Sequence, residues 1–421
     1  MNAQFFRLVA TSAIAAACLS ACGGGGGGAA PSVAANPSVT TPTTPTTPST
    51  PDTPNTPISP IPAVQFGTVA LSMAAEPGCG YDAVNVTVTK MRFHASATAA
   101  ATDAGWTEIA LQAPRRINLA QLNNGAVATL GTAALVPGHY AQARLVLDQN
   151  VAGDTTNSVI VEGSTVERPL LTQIAAPDGV AIALGNGFDV VNGQAVNLVA
   201  DFDGCHSVVP SATDVLLRPV LSALPPVKNG IDGFVDKALL GSKVRVSAQQ
   251  DGVAVRTVLP DASTGAFSLT RLLPGNYELV ITADGHAAAV VVGVTVADSS
   301  SVLALNSVTT PIALPASATG SINALLLLQP ASNIDAAFGA AVETFVSGPQ
   351  VTIRNRVAVL GLGFVTFAQL PLSRPSLATW RAGQPLSFTE QAAIVQGAAT
   401  YSILSTAPGY LATNLPLAVA R

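Results

Sequence analysis

Charge is scarce in this 421-residue chain: Asp, Glu, Lys and Arg make up only 10% of it, 19 basic against 24 acidic, with a formal net charge of −5. With no basic field overall and no local Lys/Arg cluster, the composition argues against a nucleic-acid partner. Long apolar runs are missing too. Although 48% of the residues are apolar, no stretch beyond the N-terminal leader reaches the roughly 18 uninterrupted residues of a membrane-spanning helix. Catalytic signatures are equally absent. There is no His-Glu-x-x-His pair for zinc, no Gly-x-x-x-x-Gly-Lys loop for phosphate and no Gly-x-Ser-x-Gly elbow for a nucleophile. The four histidines, His94, His139, His206 and His286, are scattered, and no local spacing places a base within reach of a proton to be removed. The expectation is a non-enzymatic protein with no catalytic residue, no cofactor and no metal ligand assigned; a site assembled from distant residues stays open.

What is present at the N-terminus is an address. Arg7 gives a modestly positive start, and Leu8 to Leu19 is an uncharged run of about a dozen residues, the length of a secretory core and too short to span a bilayer. Leu19-Ser20-Ala21-Cys22 follows, and it resembles the bacterial lipobox, in which the cysteine accepts a diacylglyceryl group and becomes the new N-terminus. The resemblance implies a signal peptide over 1–21 and lipid attachment at Cys22; an ordinary signal peptide with an incidental cysteine is the alternative. Gly23, where inner-membrane lipoproteins carry Asp, implies the outer membrane. Two or more acyl chains would anchor the protein stably.

A Gly tract and a Thr/Pro/Ser run occupy residues 22–65, with almost nothing able to build a core. This is a linker, spanning about 35 to 40 Å as a flexible coil and roughly 130 Å as polyproline II. With Cys18 lost in the leader and Cys22 lipidated, Cys79 and Cys205 remain of four cysteines. In an oxidising compartment they are expected to pair, closing a loop of about 127 residues worth on the order of 4 to 5 kcal/mol in the chain-entropy model. Two free thiols or a metal site are the alternative.

The chain after the linker has room for two to four domains. Val84, Val86 and Val88 alternate with Asn85, Thr87 and Thr89, the period of a strand with one buried face. Ala141 to Leu147, Ala195 to Phe202 and Val215 to Leu221 read as further strands, separated by turn signals at Pro137-Gly138 and Asn192-Gly193. A short helix is expected around Asn118 to Leu122. Many strands and few helical periods predict an all-β fold, tandem β-sandwich domains following the linker.

Between residues 66 and 225, Gly67-Thr68-Val69, Cys79-Gly80-Tyr81-Asp82, Gly105-Trp106, Pro137-Gly138-His139-Tyr140, Asp201-Phe202-Asp203-Gly204-Cys205 and Leu217-Arg218-Pro219-Val220 resemble the bacterial envelope family called domain of unknown function 4382. The resemblance agrees with a lipoprotein leader and with pairing of Cys79 and Cys205, and it implies no biochemical activity. After Pro225-Pro226, Gly233-Phe234-Val235, Thr264-Gly265-Ala266-Phe267, Pro274-Gly275-Asn276-Tyr277 and Gly285-His286 are similar to the carboxypeptidase regulatory-like, transthyretin-like sandwiches. That resemblance covers 228–298 and implies a carbohydrate-binding-like fold; His286 stands where the family usually has an aromatic residue. Residues 316–421 read as a degenerate second copy, with Tyr401 and Gly409 spaced as Tyr277 and Gly285 are. In that reading Val351-Thr352-Ile353 answers the Val244 to Val246 strand, and insertions at Leu327 to Ser347 and Leu372 to Gln396 hold loops or short helices.

The polar residues offer few constellations. Asp201 and Asp203 would share one face of a strand and, with Asp148 and Asp189, could gather around calcium; the competing reading is a pair of strand-end aspartates bonded to backbone or solvent. Arg115-Arg116 could face anionic glycans or lipid headgroups, or simply water. Trp106 could stack on a sugar ring or fill the core. The reading that results is a lipid-anchored cell-envelope protein whose sandwiches bind or display an unidentified ligand, held to the membrane through its N-terminal lipid. A glycan or a protein at the cell surface is the expected partner. Carbohydrate binding and an envelope hydrolase with a long-range site are the alternatives.

Overall fold

The computed structural model describes residues 5–9, 65–150, 153–172, 178–224, 229–298, 301–329, 331, 335–345, 348–391 and 400–418. Cys22 and the Thr/Pro tract lie outside the described residues. Three lobes of β-sheet follow one another along the chain, and their tandem sandwiches make the protein all-β. No helix among the described residues is long and apolar enough to cross a membrane.

The first lobe is built on the 14-residue strand Tyr81–His94, which pairs with Thr107–Asn118, Gln142–Leu147 and Ser158–Val161. The facing sheet has Gly67–Glu76 at its centre, parallel to Ala195–Asp203 and antiparallel to Ala128–Leu135. Val69, Leu71 and Met73 from one sheet meet Val84, Val86, Val88 and Phe93 from the other, with Phe202 fully buried among them. Each such side chain contributes about 1.5 to 3 kcal/mol on leaving water.

The alternation in Tyr81–His94 predicts a wet outer face, but Asn85 and Thr87 are also buried. The segment 153–157 covers them, and each polar group finds a partner as burial requires. Thr87 N–H donates to Asn157 Oδ1 at 2.8 Å and its hydroxyl to the Thr156 carbonyl at 2.6 Å, while Asn85 Nδ2 donates to Ser158 Oγ at 2.9 Å. The run Val215 to Leu221 is not one strand. It divides into Val215–Leu217 and Leu221–Leu224, separated at Pro219, which has no N–H for a ladder. The short helix is present as a 3-10 turn over Leu119–Leu122, capped by Asn118, whose side chain accepts from Ala120 N–H at 3.0 Å.

In the second lobe Gly230–Phe234 pairs with Ala266–Thr270 and Val302–Ala304. Arg245–Gln250 pairs with Val253–Val258 and Gly275–Thr282, and the latter with Ala289–Val296. The turn at Asp261 is self-made: its carboxylate accepts from the hydroxyls of Ser263 and Thr264 at 2.6 and 2.7 Å. Gly265 follows at φ +75°, where an added Cβ would lie 2.3 Å from the Val235 carbonyl oxygen. Tyr277 is buried, and its hydroxyl donates to the Leu273 carbonyl at 2.7 Å.

The third lobe pairs Thr319–Gln329 with Phe364–Pro371, Phe338–Thr344 with Gln350–Val357 and Thr400–Thr406, and Thr400–Thr406 with Thr413–Ala418. Both expected insertions contain strands. The first holds Phe338–Thr344; the second supplies Ser376–Thr379 and Thr389–Glu390, which extend the sheet of the second lobe beside Ala289–Val296. By pairing, the counterpart of Arg245–Gln250 is Phe338–Thr344, and Gln350–Val357 takes the place of Val253–Val258. The Gly339-Ala340-Ala341 run of Phe338–Thr344 has low strand preference and hides the element. Near the N-terminus, Phe5–Val9 forms a strand parallel to Thr319–Gln329.

Candidate functional site

Of the residues that the sequence singles out, Asp201, Asp203, His206 and the Cys79–Cys205 pair lie where the three lobes meet. Asp201 is buried on Ala195–Asp203, and its two oxygens each lie 3.0 Å from the guanidinium of Arg256, which comes from the second lobe. Glu76, on the neighbouring strand, lies 3.6 Å from the same group. Burial, with repulsion from Asp203 and Asp201, pushes the Glu76 carboxyl well above the usual range against the pull of Arg256. Arg256 loses solvation too, but Asp201 and Glu76 more than offset this and raise its pKa.

Asp203 points elsewhere. It caps the four-residue helix Gly204–Ser207, accepting from His206 N–H at 2.8 Å, and its other oxygen lies 2.6 Å from His206 Nδ1. Burial opposes both charges, yet the pairing prevails: the Asp203 pKa is lowered and that of His206 raised. The imidazole packs on Phe338 of the third lobe, 4.5 Å between ring centroids. On the same helix Cys205 forms a disulfide with Cys79 in the turn after Gly67–Glu76. Gly204 permits the approach, since a Cβ there would meet the Glu76 carbonyl oxygen at 2.4 Å.

Beside the disulfide opens a small recess of about 130 Å³, lined in part by His206, Arg245, Arg354 and Arg356. Glu162 of the first lobe binds Arg356 at 3.1 Å and lies 3.2 Å from Lys243 and 3.6 Å from Arg245. Burial raises the Glu162 carboxyl, but Arg245, Arg356 and Lys243 together hold it below the usual range. Arg356, desolvated and facing Arg354, is brought down to about 10. Arg354 pairs with Asp284 at 2.6 Å. Gln249 and Thr352 join the second and third lobes through two reciprocal bonds of 2.7 and 2.8 Å, as two strands would. This recess is well below the roughly 300 to 1,000 Å³ of small-molecule sites. Its ionisable groups bind one another across lobe boundaries.

The other sequence candidates lie apart. Asp189 is exposed, 2.8 Å from His139 Nδ1, and Asp148 accepts from the N–H of Gln149. The four aspartates therefore do not meet around a shared cation, and among the described residues no cluster of His, Cys, Asp and Glu is arranged to hold a metal. Arg116 binds Ser158 Oγ at 2.8 Å and Glu167, while Arg115 donates to the Thr129 carbonyl. Trp106 is half-buried, with Arg92 and Arg144 over its ring at 4.6 and 5.2 Å from the centroid. His286 Nδ1 lies 2.9 Å from the Asp284 carbonyl.

Glu76, Glu162, Arg245, Arg256, Arg354 and Arg356 carry the seam, and local sequence reasoning does not find them. A faint signal exists: in a chain this poor in charge, Arg354 and Arg356 occupy alternate positions of a Val- and Ile-containing strand, where a solvated face would be more varied.

No curated protein matches the chain. Among solved structures it is similar to the Bacillus anthracis TIE protein, with a TM-score of 0.16 and 12% identity over 85% of this chain and 48% of that one. It spans about half the length of that protein. The Streptococcal ancillary pilin gives 0.17 and 9% over 84% and 96%, and BcpA, the major pilin subunit of Bacillus cereus, 0.13 and 12% over 84% and 95%. Scores this low carry no argument. The first lobe is more informative: residues 66–219 match the family model described as Domain of unknown function (DUF4382).

Proposed function

We propose that this protein is a lipid-anchored module of the cell envelope, tethered through Cys22 in the outer membrane, that presents its sandwiches to a ligand rather than transforming one. The seam carries this reading. Asp201, Asp203 and His206, with the Cys79–Cys205 disulfide beside them, are engaged with Arg256, with each other and with Phe338, and so join the three sandwiches. One compact unit following a 22–65 linker suits display, because the tether supplies reach and the folded unit presents the surface. The second lobe is read as a carboxypeptidase regulatory-like sandwich and the third as its second copy, a reading supported by their common order of strand pairing.

Fractionation of cells producing Cys22→Ser tests the anchoring. The variant is expected either to leave the membrane fraction or to accumulate as uncleaved precursor. Normal processing together with retained lipid would overturn the reading.

A further inference from the structure

Between the first and second lobes, away from the arginine recess, lies a cavity of about 800 Å³, the size of a small-molecule site. Its walls are largely apolar: Phe188, Val196, Leu198 and Leu224 from the first lobe and Leu272 from the second. Arg256, Asp201 and Arg271 also line it. Arg256 is matched by Asp201 and Glu76. Arg271 is not matched. It is only 8% exposed, and among the described residues its side chain has no ion pair and no hydrogen bond, with Nε enclosed and lacking an acceptor.

A largely enclosed guanidinium with no counter-charge, its Nε lacking an acceptor, carries a desolvation cost that a bound anion would offset. The backbone at Arg271 is left-handed, φ +59°, and is held by its N–H donating to the Asn229 carbonyl at 2.7 Å. Desolvation and the nearby Arg256 lower its pKa, and Asp201, already engaged on both oxygens by Arg256, only partly offsets them. The one charge unaccounted for in this cavity is therefore positive, and the surface around it is apolar.

We propose that the cavity binds an organic anion, with its carboxylate on Arg271 and its hydrocarbon body against Phe188, Val196, Leu198 and Leu272. A guanidinium fork suits a carboxylate, which accepts two parallel N–H bonds. An inorganic anion would leave the apolar walls wet, and a cation would meet Arg271 itself. This site goes beyond the display reading and does not depend on membrane anchoring.

The test is calorimetric titration of the full chain at pH 7 with octanoate, 1-octanol and acetate. Octanoate should bind saturably at one per chain, at least about tenfold tighter than octanol or acetate, the discrimination expected of a charge-assisted bond in a desolvated site. Arg271→Met should weaken octanoate by about the same factor and leave octanol unchanged. Absence of octanoate binding would overturn the proposal, as would equal affinity for octanoate and octanol, for octanoate and acetate, or for octanoate in the wild type and the variant. The comparison of the three probes needs only the wild-type chain, so it decides the matter even if Arg271→Met does not fold.

Discussion

Glu343 offers the most direct test of how burial sets electrostatics in this fold. It lies in Phe338–Thr344, an inner strand of its sheet, opposite Val351 on one side and Tyr401 on the other. The side chain is 5% exposed, and Oε2 has no hydrogen-bond partner among the described residues. Burial pushes its pKa up from the ordinary 4.5 to about 8. Because the folded form holds the proton more tightly than the unfolded chain, Glu343 costs nothing below pH 4.5. Its penalty grows as pH rises towards 8 and is constant above that. By linkage the full penalty is about 5 kcal/mol, and at pH 7 about 3 kcal/mol. Glu343→Gln keeps the shape and removes the titration. Its stability relative to the wild type should therefore climb by those amounts between pH 4.5 and pH 9. Guanidinium unfolding of both proteins at pH 4.5, 7 and 9, compared at each pH, cancels every other titrating group. A stability difference that stays constant across this range would refute the reasoning.

Two further expectations concern the seam. Replacing both Cys79 and Cys205 by Ser should lower stability by about 2 to 5 kcal/mol, since a sequence separation of 126 residues is otherwise closed by the disulfide; thermal unfolding with and without reductant should show the wild type sensitive and the double variant indifferent. The Asp203–His206 pair is stabilising through the charged imidazole, whose pKa is raised from 6.5, and through Asp203, lowered from 3.8. Its contribution is complete between those two values, and is lost as pH rises through the raised histidine pKa or falls through the lowered aspartate one. Asp203→Asn should remove this dependence and return the His206 imidazole towards or below its ordinary titration, as followed by NMR.

Some of this was legible residue by residue. The two-residue period of Val84, Val86 and Val88 announces a strand because side chains alternate across a sheet, and the Asp261 to Gly265 turn is encoded by local hydrogen bonding and one left-handed position. Phe338–Thr344 was not legible, because Gly339, Ala340 and Ala341 carry little strand preference and the element exists through its neighbours on both sides. Asp201 and Asp203 read as a pair on one face of a strand by their spacing, which gives the face and not what stands opposite. Arg256, 55 residues later, decides that Asp201 is half of a buried ion pair.

By itself the sequence determined the all-β class, the turns and the first-lobe strands at Val84 to Val88, Ala141 to Leu147 and Ala195 to Phe202, since each depends on alternation and local backbone chemistry within a few residues. Only the tertiary structure decided that Glu162, Arg245 and Arg356 meet across three lobes, that Asn85 and Thr87 lie inside, and that Arg271 is enclosed without a counter-charge. Those outcomes rest on contacts between distant segments, where burial removes water and makes the partner, not the residue type, set the energy.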